Sequence, residues 1–106
     1  MYVIAFFASG IIGSGNSTPI ADAGSDQLSV GHPFNVNLNG GASSDPDGDA
    51  LTFSWVETSS LGITLNNPNT ATPDFDTLDA GDTYVLELTV SDPKGKTDTD
   101  TVTITT

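Results

Sequence analysis

Short segments in which apolar and polar residues alternate constrain the fold of this chain most strongly. The clearest of them cover residues 34–38, 51–56 and 84–90. A period of two is typical of a β-strand that has one face in the core. Gly, Asp, Asn and Pro separate the segments, and no long stretch from Asn16 onward has the 3.6-residue apolar period of a helix. The pattern therefore predicts an all-β fold.

About seven strands are predicted, a number typical of a two-sheet β-sandwich. The first strand is split in two, and the predicted ranges are 19–23 with 26–30, 34–38, 51–56, 63–65, 71–76, 84–90 and 97–105. Trp55 lies at an inward position of the third strand, so we expect a core residue rather than an exposed platform for sugars. The sandwich is expected to span residues 16–106, after an apolar extension with a Gly/Ser hinge over residues 1–15.

Three stretches carry a more specific pattern: PIADAGSDQ, GASSDPDGDALTFSW and YVLELTVSDPKGKTDTDTVTI. The combination of DPDGD-x-L-T-x-S-W with L-T-V-S-D-x-x-G resembles the polycystic-kidney-disease (PKD) domain in its bacterial and archaeal form. The resemblance covers residues 16–106. It implies an immunoglobulin-like β-sandwich in an extracellular or cell-surface protein, acting as an adhesion, spacer or substrate-presenting module. It implies no catalysis.

Acidic residues dominate the charge of the chain. Fourteen Asp and Glu stand against two lysines, which gives a formal net charge of −12. Such a charge repels nucleic acid and anionic membranes, and it makes divalent cations the natural counter-ions. The chain has no cysteine and one histidine, His32, so neither a disulfide framework nor a His-based catalytic constellation is available. We therefore expect a protein that is not an enzyme.

The acidic loops predict a calcium site at one end of the sandwich. The start of the first strand, the loop after the second strand and the loop between the last two strands lie at the same end of such folds. Four ligand positions carry over from calcium-binding members of the family: Asn16, Asp45, Asp47 and Asp92. Asp49 is an addition from its place in the same loop. A hard cation with six to eight oxygen ligands would relieve the repulsion between these carboxylates. DPDGD and DPKG are also good turn sequences, so turn formation alone is the alternative.

Two further polar features have simpler interpretations. Asn16, Ser17 and Thr18 form an N-glycosylation sequon, which makes Asn16 a glycosylation candidate. A second acidic set lies before the sixth predicted strand and is expected to be a solvated surface. Its members are Asp74, Asp76, Asp79 and Asp82.

Residues 2–13 form an uncharged, apolar leader that the family pattern does not include. It lacks the basic residues of a signal peptide and is too short for a membrane span, while an extra strand of the same domain stays open. Strand donation into a neighbouring subunit is the remaining interpretation, since a strand buried on both faces is apolar throughout. The side chains expected to mediate such self-assembly are Tyr2, Val3, Ile4, Phe6, Phe7, Ile11 and Ile12.

Two functions follow as expectations for a protein outside the cell or at its surface. The first is a structural filament or pilus-like subunit that assembles with itself through the leader and is stabilised by calcium. The alternative is an accessory PKD-like module of a larger secreted or surface protein, with a surface polysaccharide or protein as partner. Neither involves nucleic acid or a membrane span.

Overall fold

Two antiparallel sheets make up the fold in the computed structural model, which describes residues 16–106. The strands are β1 (Asn35–Asn37), β2 (Thr52–Glu57), β3 (Asp74–Asp76), β4 (Thr83–Ser91) and β5 (Thr97–Thr105). One sheet has the order β2-β4-β5 and the other pairs β1 with β3. No helix forms within these residues. The all-β sandwich is confirmed, with five strands rather than the predicted seven.

The three-stranded sheet follows the sequence pattern closely. In β4 the burial alternates residue by residue, and Tyr84, Leu86, Leu88 and Val90 are fully buried. Pairing with β5 runs from Thr83 opposite Thr105 to Ser91 opposite Thr97. Because Thr52 at the start of β2 pairs with Ser91 at the end of β4, the β4–β5 turn lies at the same end of the sheet as the loop that leads into β2.

The core lies between the two sheets. Its buried apolar residues are Ala23, Val36, Leu38, Trp55, Phe75, Tyr84, Leu86, Leu88, Val90, Val102 and Ile104. Trp55 is 2% exposed, and its Nε1–H donates to the carbonyl of Thr70 at 3.0 Å. The backbone at Gly40 passes directly against the indole, since a Cβ there would lie 3.1 Å from Trp55 Cζ2 and 2.9 Å from Leu88 Cδ2. Trp55 is therefore a core residue, as predicted.

The prediction of a split first strand is wrong in form, because residues 19–30 make only single bridges. Ile20 bridges to Ser44, and Gln27 bridges in parallel to Ile104 of β5. Between these points the carboxylates of Asp98 and Asp100 accept the N–H groups of Ala21 and Ala23, both at 2.8 Å. Side-chain oxygens thus take the place of strand carbonyls, and the backbone there is not a regular strand.

Three other predicted strands are shorter than expected or absent. Residues 63–65 form no strand, and only Asn66 bridges to Asp74 of β3. The strand predicted at 71–76 begins at Asp74, directly after Pro73, which has no N–H to offer a ladder. The strand predicted at 34–38 is reduced to β1, and Phe34 is 45% exposed rather than inward.

Tyr84 stabilises the corner that leads into β4. Its ring is fully buried and packs against Phe75 with the ring centroids 5.2 Å apart. The hydroxyl accepts the N–H of Leu78 at 2.7 Å and donates to Asp82 Oδ2 at 3.0 Å. A buried tyrosine that bonds to backbone a few residues upstream is the tyrosine corner of immunoglobulin-like sandwiches.

Glu57 organises the loop that follows β2. Its carboxylate accepts hydrogen bonds from Ser59 Oγ at 2.6 Å and from the N–H groups of Leu61, Gly62 and Ile63 at 2.7, 3.0 and 3.1 Å. Burial alone would raise the pKa of this carboxyl group, but the hydrogen bonds to the ionised form outweigh burial and hold its pKa below the ordinary value.

We expect Glu57→Gln to lower the free energy of unfolding at pH 7 by about 1 kcal/mol or more, because an amide offers one acceptor oxygen where the carboxylate offers two. The pKa of Glu57 is lower in the folded protein than its ordinary value of 4.5, so the ionised carboxylate stabilises the fold above pH 4.5. This stabilisation is lost as the pH falls through the pKa of the folded protein. The difference between wild type and variant should therefore shrink in urea titrations at pH 3. Glu87→Gln, which changes the other glutamate, is the control. A difference that does not depend on pH would contradict this account.

Candidate metal site

Three separate segments meet at one end of the sandwich. Asn16 Nδ2 donates to Asp92 Oδ2 at 2.5 Å, which joins the start of the described chain to the β4–β5 turn. The N–H of Ser17 donates to Asp47 Oδ2 at 2.7 Å, which joins it to the β1–β2 loop. We call this end, made of residues 16–17, 45–49 and 92–96, the acidic pole.

The DPDGD sequence in the β1–β2 loop folds into a tight turn. The N–H of Asp47 donates to Asp45 Oδ1 at 2.7 Å, and the N–H of Gly48 donates to the carbonyl of Asp45 at 2.9 Å. Gly48 has φ +73°, a conformation that L-residues with a side chain rarely adopt. The turn gathers oxygens of Asp45, Asp47 and Asp49 within 4.8 Å of one another.

Asp92 is the most buried acidic residue of the pole, at 6% exposure. Its Oδ1 accepts the N–H groups of Lys94 and Lys96, both at 2.9 Å, while Oδ2 accepts from Asn16. Burial alone would raise the pKa of the Asp92 carboxyl group, but these hydrogen bonds to its ionised form outweigh burial, so its pKa lies below the ordinary value. Both oxygens of Asp92 are thus engaged, and the residue orients Asn16 and the β4–β5 turn.

Three other oxygens of the pole have no donor. They are Asn16 Oδ1, Asp45 Oδ2 and Asp49 Oδ2; each has less than 1 Å² of accessible surface and no hydrogen-bond partner within residues 16–106. Buried polar atoms in folded proteins are normally paired, and an unpaired anionic oxygen is costly. Side-chain oxygens of Asp and Asn are the ligands that Ca²⁺ prefers. The residues present therefore fit a hard divalent cation.

The five predicted metal residues all lie at the acidic pole, but they differ in whether their side-chain oxygens are free. Asp45, Asp47 and Asp49 lie together, and Asp49, the addition from the residues themselves, has a free buried oxygen. Asn16 also offers a free buried oxygen. Asp92 lies at the same pole, with its oxygens already hydrogen-bonded. Occupancy of Asn16 by a glycan remains a prediction; the atom that would carry it, Nδ2, is the one that donates to Asp92.

Several acidic residues have structural contacts that sequence reasoning missed. Glu57, Asp26, Asp98 and Asp100 accept backbone N–H groups, the last three across more than seventy residues of chain. In the second acidic set, Asp82 bonds to Tyr84 and Asp74 accepts from two asparagine side chains. These donors, Asn35 and Asn66, hold the pKa of Asp74 below its ordinary value. The contacts of Asp26, Asp98 and Asp100 join distant segments, so the linear sequence carries no signal for these acceptors.

The self-assembly prediction concerns residues that the structure does not describe. The whole set from Tyr2 to Ile12 lies outside residues 16–106. Among the described residues, no helix has the length and apolar character required to cross a membrane.

Comparisons with known proteins agree with this fold. The family model described as "K319L-like, PKD domain" matches residues 23–106. The solution structure of the PKD domain from KIAA 1837 protein is similar at a TM-score of 0.68 and 30% identity, over 87% of this chain and 88% of that one. None of the curated proteins matches the chain in sequence.

A larger protein also contains a similar fold. It is a nucleoside hydrolase-related hypothetical protein from Saccharophagus degradans that is associated with carbohydrate metabolism. The TM-score is 0.75 over 87% of this chain, with 23% identity, which shows the fold alone. The match spans 26% of that chain's length. From the family match and the sandwich with its tyrosine corner, we conclude that the chain belongs to the PKD-domain family.

Proposed function

We propose that this chain is a non-catalytic β-sandwich module of a larger extracellular or cell-surface protein, and that a calcium ion stabilises its acidic pole. The observation that carries the proposal is the group of three buried, unpaired oxygens from Asn16, Asp45 and Asp49. They come from two segments far apart in sequence, and a hard cation is the partner that their chemistry fits.

Membership of the PKD family supports the role of a module. In the protein from Saccharophagus degradans the similar fold occupies about a quarter of the chain, 26%, so there the sandwich is one part of a longer protein. A module of this kind positions neighbouring domains or presents a surface to a partner. Neither task needs a catalytic residue.

At the acidic pole, a bound ion would stabilise the place where the chain enters the sandwich. Asn16 stands where the preceding chain enters the sandwich, and it is held by Asp92 from the β4–β5 turn. When bound, calcium would supply the positive charge that lets Asp45 and Asp49 keep their oxygens buried beside one another. Asn16, Asp45 and Asp49 would hold the ion, while Asp92 orients Asn16. The entry point of the chain is thereby tied to the sandwich.

Deleting residues 2–13 tests this proposal against the filament hypothesis. For a module, we expect the full chain and the deletion variant to have the same oligomeric state in sedimentation velocity. We also expect the same calcium affinity in isothermal titration calorimetry, because the pole lies in residues 16–106. Polymers that form only with the full chain would instead support strand donation. Loss of calcium binding in both proteins would refute the cation site.

A further inference from the structure

Lys96 contacts two residues of the acidic pole, Asp92 and Asn16. It lies directly after Gly95 in the β4–β5 turn, its N–H donates to Asp92 Oδ1, and its carbonyl accepts the N–H of Asp92 at 2.9 Å. Its side chain reaches across the pole, and Nζ donates to the backbone carbonyl of Asn16 at 2.5 Å. The residue is therefore held at both its backbone and its ammonium group.

Asn16 connects this ammonium group to the candidate site. The same residue carries the unpaired Oδ1, and its Nδ2 is fixed by Asp92. Lys96 Nζ thus contacts the backbone of the residue whose side chain supplies one of the three free oxygens. The chain has only two lysines and no arginine to set against fourteen acids, so one of its two cationic side chains is committed to this pole.

We propose that the Lys96 ammonium is a built-in counter-ion that competes with the divalent cation for the acidic pole. This inference rests on the proposed calcium site. Without the ion, the ammonium offsets part of the repulsion between the carboxylates and keeps Asn16 in place. With the ion, the ammonium and the cation repel each other, which weakens binding. Lys96 therefore stabilises the ion-free module and sets the calcium concentration at which the site fills.

Lys96→Met removes the charge and keeps a long unbranched side chain and the backbone hydrogen bonds. We expect it to bind calcium about tenfold more tightly at low ionic strength, because the variant lacks the ammonium charge that repels the divalent ion. The gain should shrink in high salt because the ammonium group is on a solvated turn. In chelator the variant should unfold at a lower temperature than wild type.

Lys94→Met is the matched control, because it removes the same charge from the same turn. Lys94 donates its backbone N–H to Asp92, as Lys96 does, but its Nζ makes no hydrogen bond within residues 16–106. Calorimetric titrations of wild type and both variants separate the possibilities. A tighter Kd for Lys96→Met alone supports the proposal. Equal constants for the two variants, with calcium bound by wild type, would overturn it and leave the calcium site intact. No binding by any of the three proteins would overturn both.

Discussion

Calcium is expected to raise the thermal unfolding midpoint of this protein by a large amount. A ligand at one hundred times its dissociation constant stabilises the folded state by about 2.7 kcal/mol. For a domain of this size that corresponds to a rise of roughly 10–20 °C, at 4–8 °C per kcal/mol. The reason is that only folding brings residues 16–17 to the β1–β2 loop and the β4–β5 turn, where oxygens of Asn16, Asp45 and Asp49 are buried without a donor. Circular dichroism melts in calcium and in chelator measure the shift.

The control is the double variant Asp45→Asn, Asp49→Asn, which keeps the shape of both side chains. It should fold in chelator, because neither buried Oδ2 takes part in a hydrogen bond of the described chain, and it should show no calcium-dependent shift. Magnesium should stabilise wild type less than calcium, since it demands a stricter octahedral geometry and gives up its water reluctantly. Identical unfolding midpoints of the wild type in calcium and in chelator would show that calcium does not stabilise the folded protein, and would contradict the proposed site.

Trp55→Ala is expected to destabilise the fold by about 3–5 kcal/mol, a typical cost of truncating a large buried aromatic side chain. The indole is 2% exposed, and the change would also leave the carbonyl of Thr70 without its donor. Gly40, whose backbone lies against the indole, has no side chain that could fill the vacated volume. Chemical unfolding in urea measures the loss.

Val56→Ala is the natural control, one residue away on the opposite face of β2. Val56 is 49% exposed, so its truncation should change stability by less than about 0.5 kcal/mol. If Trp55→Ala left stability unchanged and instead abolished binding to a polysaccharide, the assignment of Trp55 to the core would be contradicted.

The parts of the fold that sequence predicts well are the strands whose partners are themselves strands. In β4 the alternation of apolar and polar residues matches burial, because β4 pairs with β5 along its whole length and with β2 on its other side. The segments at 19–30 and 63–65 fail for the opposite reason. Side-chain carboxylates accept part of their backbone N–H groups: those of Asp98 and Asp100 for the first segment and that of Glu57 for the second. The alternation within a segment does not reveal these acceptors.

The candidate site was predictable in its place and only partly in its atoms. The turn sequence DPDGD and the family pattern bring Asp45, Asp47 and Asp92 to one end of the sandwich. Which oxygens stay free depends on the backbone conformation of each loop: Asp92 accepts N–H groups of its own turn, whereas Asp49 Oδ2 has no donor within residues 16–106. The contact of Lys96 with Asn16 spans eighty residues, and nothing in the linear sequence indicates it.

The most direct test of the acidic pole is a calcium titration followed by nitrogen–proton NMR spectra of the isotopically labelled protein. Calcium should shift the amide resonances of Ser17, of residues 45–49 and of residues 92–96, and leave those of β1 and β3 in place. Saturation of all three groups at a single concentration would show that one site joins the three segments. Spectra without any shift at millimolar calcium, or shifts confined to the second acidic set at Asp74 and Asp76, would contradict the account.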